Sequence, residues 1–299
     1  MEELERATTR LRNIRSVQPM LGALRTIALG GRSQGLNRAR RLDAFREDLA
    51  RSLVLSATHA REGAVSSRKT AIGSGAGAKP GKLTMLVVGT ERGYCGAINE
   101  AVADYAMAEI DRQTAQGTQV TWMALGSRLV RTMKRHDRVP AWSAPLPLTA
   151  LPPLNLATSL TTSWLASYDA GETDAVDIVA LSYGGMARHF PTTTRVLPPP
   201  LPEPSGTVAV WPPIMETDPR PLFLRTVEMW IITLVYRVLL NSAIAEHSAR
   251  YQLMDGADQN SRRLMEELQL YVQMARQQAI TSEIQDLIGG AGLLGGAPE

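Results

Sequence analysis

Proline is missing from almost the whole last quarter of this chain: none lies between Pro221 and Pro298, and Gly256 is the only glycine from there to Gly289. Nothing in that stretch locks φ or removes a backbone donor, so one helix over residues 222–288 is predicted, on the order of 100 Å long. Cysteine is nearly absent too. The single Cys95 excludes an internal disulfide framework and fits a reducing compartment. Aromatic residues make up 5%, low for a compact enzyme and ordinary for a coiled coil. The four histidines, His59, His136, His189 and His247, are scattered and give no metal-ligand spacing. No apolar leader is read at the N-terminus, so no secretory signal is expected. The most apolar stretch, 229–240, is too short to span a bilayer and contains Arg237; it reads as a helix buried on a globular domain.

A small domain cannot wrap its core around so long a helix, so the helix must project and find a partner for its apolar stripe. From Arg250 the chain steps by threes and fours through Met254, Ala257, Ser261, Leu264, Leu268, Tyr271, Ala275 and Ala279, the 3.5-residue seam of a coiled coil. Its small side chains allow close approach of a partner. Gln259, Arg262, Arg263, Glu266, Glu267 and Gln273 fall off the seam and are expected in solvent. The other end of the chain supplies a partner: Leu4, Ala7, Leu11, Ile14, Gln18, Leu21, Arg25 and Ala28 repeat the step, and Leu42, Phe45, Leu49 and Leu53 resume it. Pro19 is expected to kink this first helix or start a new segment, and Gly30, Gly31 and Gly35 to weaken it, each by about 1 kcal/mol relative to Ala.

The net charge of +3 hides an uneven distribution. Residues 1–61 hold twelve arginines against six acids, whereas 222–288 hold six against eight. The basic first helix lacks the stacking aromatics of a single-strand binder, and the chain has no helix-turn-helix or zinc pattern.

Between the helices the pattern changes. A Gly/Ala/Ser-rich stretch at 63–81 reads as a linker. Strands are predicted at 83–90, 120–125 and 177–183, with helices through Ala101, Tyr105, Ala108 and Ile110, over 127–135 and over 156–168. This order implies a small parallel α/β sheet. Fifteen of eighteen prolines lie in 140–221, a loop-rich region in which 192–197 and 207–211 could be edge strands. The glycines Gly89, Gly93 and Gly96 miss the dinucleotide spacing because residue 91 is Glu, and residues 75–82 miss the phosphate-loop spacing and precede the strand. Cys95 has no histidine near it in sequence, and no nucleophile-elbow pattern surrounds Ser182. Two classes stay open beside a connective role: a small α/β enzyme with a helical dimerisation arm, and a coiled-coil scaffold or nucleic-acid binder using the arginine-rich helix.

The segment 246–290, EHSARYQLMDGADQNSRRLMEELQLYVQMARQQAITSEIQDLIGG, resembles the C-terminal helix of the gamma subunit of F-type rotary ATPases. ERGYCGAIN at 91–99 is similar to that family's loop after its first strand, and IRSV at 14–17 to its opening IKSV. The resemblance implies an α/β chain in which a long antiparallel N-/C-terminal helical coiled coil flanks a small parallel-sheet domain. The expected divisions are an N-terminal helix at 1–62, a linker at 63–82, an α/β insert at 83–215, a long helix at 216–290 and a tail at 291–299. It implies the role of central rotor shaft, coupling ion flow through a membrane ring to ATP synthesis or hydrolysis on another subunit, with no catalytic residue, cofactor or metal of its own. The implied partners are three alpha and three beta subunits, the epsilon subunit and the membrane c-ring, with neither nucleic acid nor a small-molecule substrate. The implied place is the cytoplasmic face of a bacterial plasma membrane, as a peripheral protein. Carried over residue by residue, Arg250, Arg276, Gln277 and Thr281 match positions that bear on the alpha/beta ring, and Glu283 matches an acid of the same motif. The chain departs from the family at 18–34, QPMLGALRTIALGGRSQ, and at Glu91, Tyr94, Ala97 and Ile98, as expected of a divergent member, such as the shaft of an accessory ATPase. It has no cysteine pair for a chloroplast-type thiol switch.

Overall fold

A computed structural model describes residues 2–60, 80–147, 151–186, 188–202 and 218–294. Most of the linker stretch, the strand suggested at 207–211 and the tail from 295 lie outside the described residues. Ten elements follow in order: α1 (Glu2–Ala60), β1 (Lys82–Val88), α2 (Ile98–Ala115), β2 (Gln119–Leu125), α3 (Ser127–Arg135), β3 (Trp142–Ala144), α4 (Leu154–Asp169), β4 (Ala175–Tyr183), β5 (His189–Leu197) and α5 (Pro219–Leu294). The chain divides into two compact units, Met1–Ile27 with Tyr251–Glu299, and Ala28–Arg250.

The larger unit holds one five-stranded sheet in the order β3-β2-β1-β4-β5. β1 pairs in parallel with β2 and β4, and β2 with β3, whereas β5 runs antiparallel to β4. The parallel neighbours are reached through crossover helices. β5 follows β4 after a short turn containing Gly184 and Gly185, a connection that can build only an antiparallel neighbour. The small parallel sheet expected from the sequence is formed by β1 to β4, and the edge strand suggested at 192–197 joins it as the antiparallel β5, so the sheet as a whole is mixed.

Side chains alternate across the pleat. Leu83, Met85 and Val87 of β1 pack under Val102, Ala106, Leu129 and Met133 of α2 and α3. Leu86 and Val88 face the opposite layer, where Trp164 of α4, Leu53 of α1 and Phe223, Ile231, Val235, Tyr236 and Leu239 of α5 close the second core. α5 contains a stretch apolar and long enough to cross a membrane by composition alone, but over half of it is buried. Each of these buried aliphatic side chains contributes roughly 1.5–3 kcal/mol.

Within this unit, α1 and the first part of α5 lie antiparallel, since Gly31 meets His247, Gly35 meets Ile244, Asp43 pairs with Arg237 and Arg46 bonds to Trp230 and Thr233. A Cβ on Gly35 would lie 2.6 Å from Ile244 Cγ1, and one on Gly31 would lie 2.6 Å from the His247 ring. Two of the three glycines that promised a weak helix, Gly31 and Gly35, are thus points of close helix approach, whereas Gly30 faces open space. α1 is one unbroken helix through Pro19, Gly30, Gly31 and Gly35, which corrects the expectation of a break there. The inward positions continue through Ala28, Gly31, Gly35, Ala39 and Leu42, and then through Arg46 in place of Phe45, which is exposed. Arg46 lies over the Trp230 ring at 3.9 Å while donating to Trp230 O at 3.1 Å and Thr233 Oγ1 at 3.0 Å.

The smaller unit is an antiparallel helix pair. Arg25 reaches Asp255 at 2.9 Å and Asp258 at 3.7 Å, and Tyr271 donates to Glu3 at 3.2 Å near the start of α1. All the inward positions predicted for α1 up to Ala28 are buried or half-buried. On α5 the seam runs through Met254, Ala257, Ser261, Leu264, Leu268, Ala275 and Ala279 as predicted, with Val272 buried instead of the exposed Tyr271. Asp258, 3% exposed, is held between Arg25 of α1 and Arg262 one turn on. A charged pair inside an otherwise small-residue seam specifies register, because sliding would strand the buried carboxylate.

Candidate functional site

A doubly wound sheet ordinarily takes ligands in the crevice beyond the carboxyl ends of its strands, where the strand order reverses; here that point lies between β1 and β4. The chain fills this place with its own groups. The loop after β1 is tied down by Asn99, which accepts from Thr90 N at 3.0 Å and donates to Thr90 Oγ1 at 2.9 Å. At the N-terminus of α3, where a phosphate could sit, the Glu91 carboxylate accepts from Ser127 N at 2.9 Å, Ser127 Oγ at 2.6 Å and Leu146 N at 3.0 Å. Burial pushes the Glu91 carboxyl up, but these bonds from Ser127 and Leu146 outweigh it and hold it below the ordinary value. Gly126, at φ 103, packs against the Thr90 backbone, with 2.8 Å between its would-be Cβ and Thr90 O. The glutamate that spoils the dinucleotide spacing is therefore an internal anion at the helix terminus.

α5 closes the remaining side. Ala245 and Ala249 pack into the α2 and α3 core, Ser248 Oγ donates to Met186 O at 3.2 Å, and Arg250 Nε donates to Gly93 O at 3.3 Å. Cys95 is 4% exposed; burial raises its thiol, which sits 3.7 Å from Thr90 Oγ1. A raised, enclosed thiol is a poor nucleophile. A second polar groove, about 380 Å³ and lined by Tyr105, Glu109, Arg112, Asp177, Thr193 and Arg195, is likewise matched internally. Arg195 holds the buried Asp177 with both its Nε and Nη2, and Arg112 holds Glu109. Burial raises the Asp177 carboxyl against the opposing pull of Arg195.

The far part of α5 is different. α1 starts at Glu2 and its Glu3 lies opposite Tyr271, so α5 runs on past that start, and every residue of 280–288 is exposed. This run is amphipathic: Ile280, Ile284, Leu287 and Ile288 recur at i, i+4, i+7 and i+8 and are 56%, 51%, 72% and 67% exposed. At about 100° per residue, Arg276 and Glu283 fall along one border of this stripe and Thr281 along the other, with Gln277 just inside it on that second side. All four are exposed, and Thr281 Oγ1 bonds back to Gln277 O at 2.9 Å.

Arg250, the fifth residue singled out from the sequence, is elsewhere. Its side chain is 8% exposed and engaged with Glu246 and Gly93 in the larger unit. The structure thus gathers four of the five around one stripe and buries the fifth. The apolar stripe itself was overlooked in the sequence, although its i, i+4, i+7, i+8 spacing is plain there.

The family model described as ATP synthase matches residues 3–294. The chain belongs to the ATP synthase gamma-subunit family. That family forms part of a rotary ATP synthase, in the peripheral F1 portion attached to a membrane. Similar solved structures come from the same kind of assembly. A chain of the Euglena gracilis mitochondrial ATP synthase, OSCP/F1/c-ring in rotational state 3, is 15% identical with a TM-score of 0.63, over 98% of this chain and 95% of that one. A chain of the Euglena rotor in rotational state 1 gives 13% and 0.59 over 93% and 99%. One from the Tetrahymena thermophila mitochondrial central stalk and c-ring gives 13% and 0.55 over 80% and 99%. At such identities the family's fold is shared although few side chains are.

Proposed function

We propose that this chain is the central rotor shaft of an F-type ATP synthase, coupling ion flow through a membrane ring to ATP synthesis or hydrolysis at sites on beta subunits. The observation that carries the reading is the uncovered end of α5: an apolar stripe bordered by Arg276, Glu283 and Thr281, with Gln277 just inside it, beyond the start of the helix that pairs with it. A stripe of this kind needs a surrounding partner, and a ring of three alpha and three beta subunits supplies one. Its aliphatic centre suits rotation, because non-directional contacts vary little with angle. The polar side chains supply the angle-dependent contacts: the Arg276 guanidinium can make a bidentate bond to a carboxylate, and Gln277 and Thr281 can exchange hydrogen bonds with ring loops.

The α/β unit fits a non-catalytic role, since the crevice and the α3 terminus that would hold a nucleotide are taken up by Glu91, Ser248 and Arg250. That unit is where the epsilon subunit and the membrane c-ring would attach, and the lone Cys95 suits the cytoplasmic face of a bacterial plasma membrane. Coupling follows if torque carried by packed helices biases each beta site between open and closed forms. The test is co-expression with alpha and beta subunits and the native mass of the product. A particle of three alpha, three beta and one copy of this chain that hydrolyses Mg-ATP is expected; a chain that stays alone refutes the proposal.

A further inference from the structure

The resemblance assigns Arg250 to the ring, but its surroundings assign it to the chain itself. Its guanidinium bonds to the Glu246 carboxylate one turn back on α5 and donates from Nε to Gly93 O at 3.3 Å. Gly93 belongs to the loop that leaves β1. This loop turns through two residues in the left-handed region, Tyr94 at φ 62 and Gly96 at φ 68. A non-glycine residue held there costs on the order of 1 kcal/mol, so the conformation must be supported from outside. Arg128 also packs on Gly93, where a Cβ would come within 3.2 Å of Nη2. The turn leaves Tyr94 67% exposed while Gly93 O points inward to Arg250 and Cys95 is enclosed at 4%. Two residues earlier on the same helix, Ser248 holds Met186 O of the turn after β4 at 3.2 Å. The carboxyl-end loops of both central strands are therefore grasped by one turn of α5, and Arg250 is the last residue of the larger unit.

We propose that Arg250 is a positioning residue that locks α5 to the β1–α2 loop, so that the α/β unit and its helix turn as one body. Glu246 orients the guanidinium, and Ser248 is the auxiliary contact. A hydrogen bond to a backbone carbonyl suits this task, because it holds whatever side chains surround the loop. Its functional consequence rests on the rotor reading above: torque on the helix is delivered to the globular unit at this turn, and a loosened lock lets the helix slip against the sheet.

Cys95 is a built-in reporter, two residues from Gly93 and shielded by the same loop. The experiment measures N-ethylmaleimide labelling of Cys95 by mass spectrometry in the assembled complex and in the chain alone. Variants are Arg250→Gln, Arg250→Lys, Glu246→Gln and, as control, Arg262→Gln. The lock predicts labelling at least about tenfold faster for Arg250→Gln, smaller increases for Arg250→Lys and Glu246→Gln, and none for Arg262→Gln. In the complex, ions pumped per ATP hydrolysed should fall for Arg250→Gln while hydrolysis itself persists. Unchanged labelling in Arg250→Gln, or equal acceleration in the control, overturns the lock. If Arg250→Gln does not fold, Glu246→Gln decides by the same labelling. If no complex forms with the unaltered chain, the rotor reading fails, and labelling of the chain alone still decides whether Arg250 holds the loop.

Discussion

Gly30 and Gly35 sit five residues apart in α1, equal in intrinsic helix propensity and opposite in surroundings, so substituting each by alanine separates propensity from packing. Alanine gains about 1 kcal/mol over glycine in a helix interior. At Gly30 nothing lies within 4 Å of the added Cβ, so nearly the whole gain should appear. At Gly35 the Cβ would meet Ile244 Cγ1 at 2.6 Å and Leu151 Cδ2 at 3.2 Å. Ile244 is 1% exposed and β-branched, with one favoured χ1 in a helix, so it cannot swing aside and α1 must move from α5. Overpacking of this kind costs about 1–3 kcal/mol. Net of the propensity gain, Gly35→Ala should destabilise by about 1 kcal/mol, leaving the variants about 2 kcal/mol apart. For a unit of this size that is roughly 4–8 °C in melting temperature, measured by circular dichroism at fixed concentration. In an Ile244→Ala background most of the penalty at Gly35 should vanish, because the closest blocking atom is gone and only the Leu151 methyl, at 3.2 Å, remains. A Gly35→Ala protein that melts as high as Gly30→Ala would refute the view that Gly35 is there for close approach.

Other expectations follow from the same contacts. Leu268→Pro, in the half-buried seam of α5, should cost about 3 kcal/mol or more and uncouple ATP hydrolysis from ion pumping in the assembled enzyme; intact pumping would show that a continuous helix is not needed there. Gln277→Ala combined with Thr281→Ala should lower ATP synthesis while thermal unfolding of the chain stays unchanged, both side chains being exposed; unaltered synthesis removes them as ring contacts. The Glu91 carboxyl is held below 4.5 in the folded chain, so its contribution is present above that value and lost as pH falls through the lower folded one. Acid titration of stability should therefore be shallower in Glu91→Gln than in the natural chain, and parallel curves would count against the carboxylate as the anion at α3.

Much of this molecule could be read from residue order alone. The absence of proline and the 3.5-residue step from Met254 to Ala279 describe a single long helix with a narrow seam, and the near-continuous apolar run at 83–90 describes a strand covered on both faces. These are local properties, since periodicity and backbone freedom act over a few residues. Direction in the sheet was legible only in part, because β5 is antiparallel by virtue of a short turn and its pairing partner, not of its own composition. Gly31 and Gly35 read as weak points until Ile244 and His247, more than two hundred positions away, came to lie against them. The same holds for Arg250. Its motif placed it among the ring contacts with Arg276, Gln277 and Thr281, and nothing in its own neighbourhood along the chain distinguishes it from them. Burial and hydrogen bonding depend on what the fold brings near, and only the tertiary structure set Gly93 beside it while leaving the other three in the open.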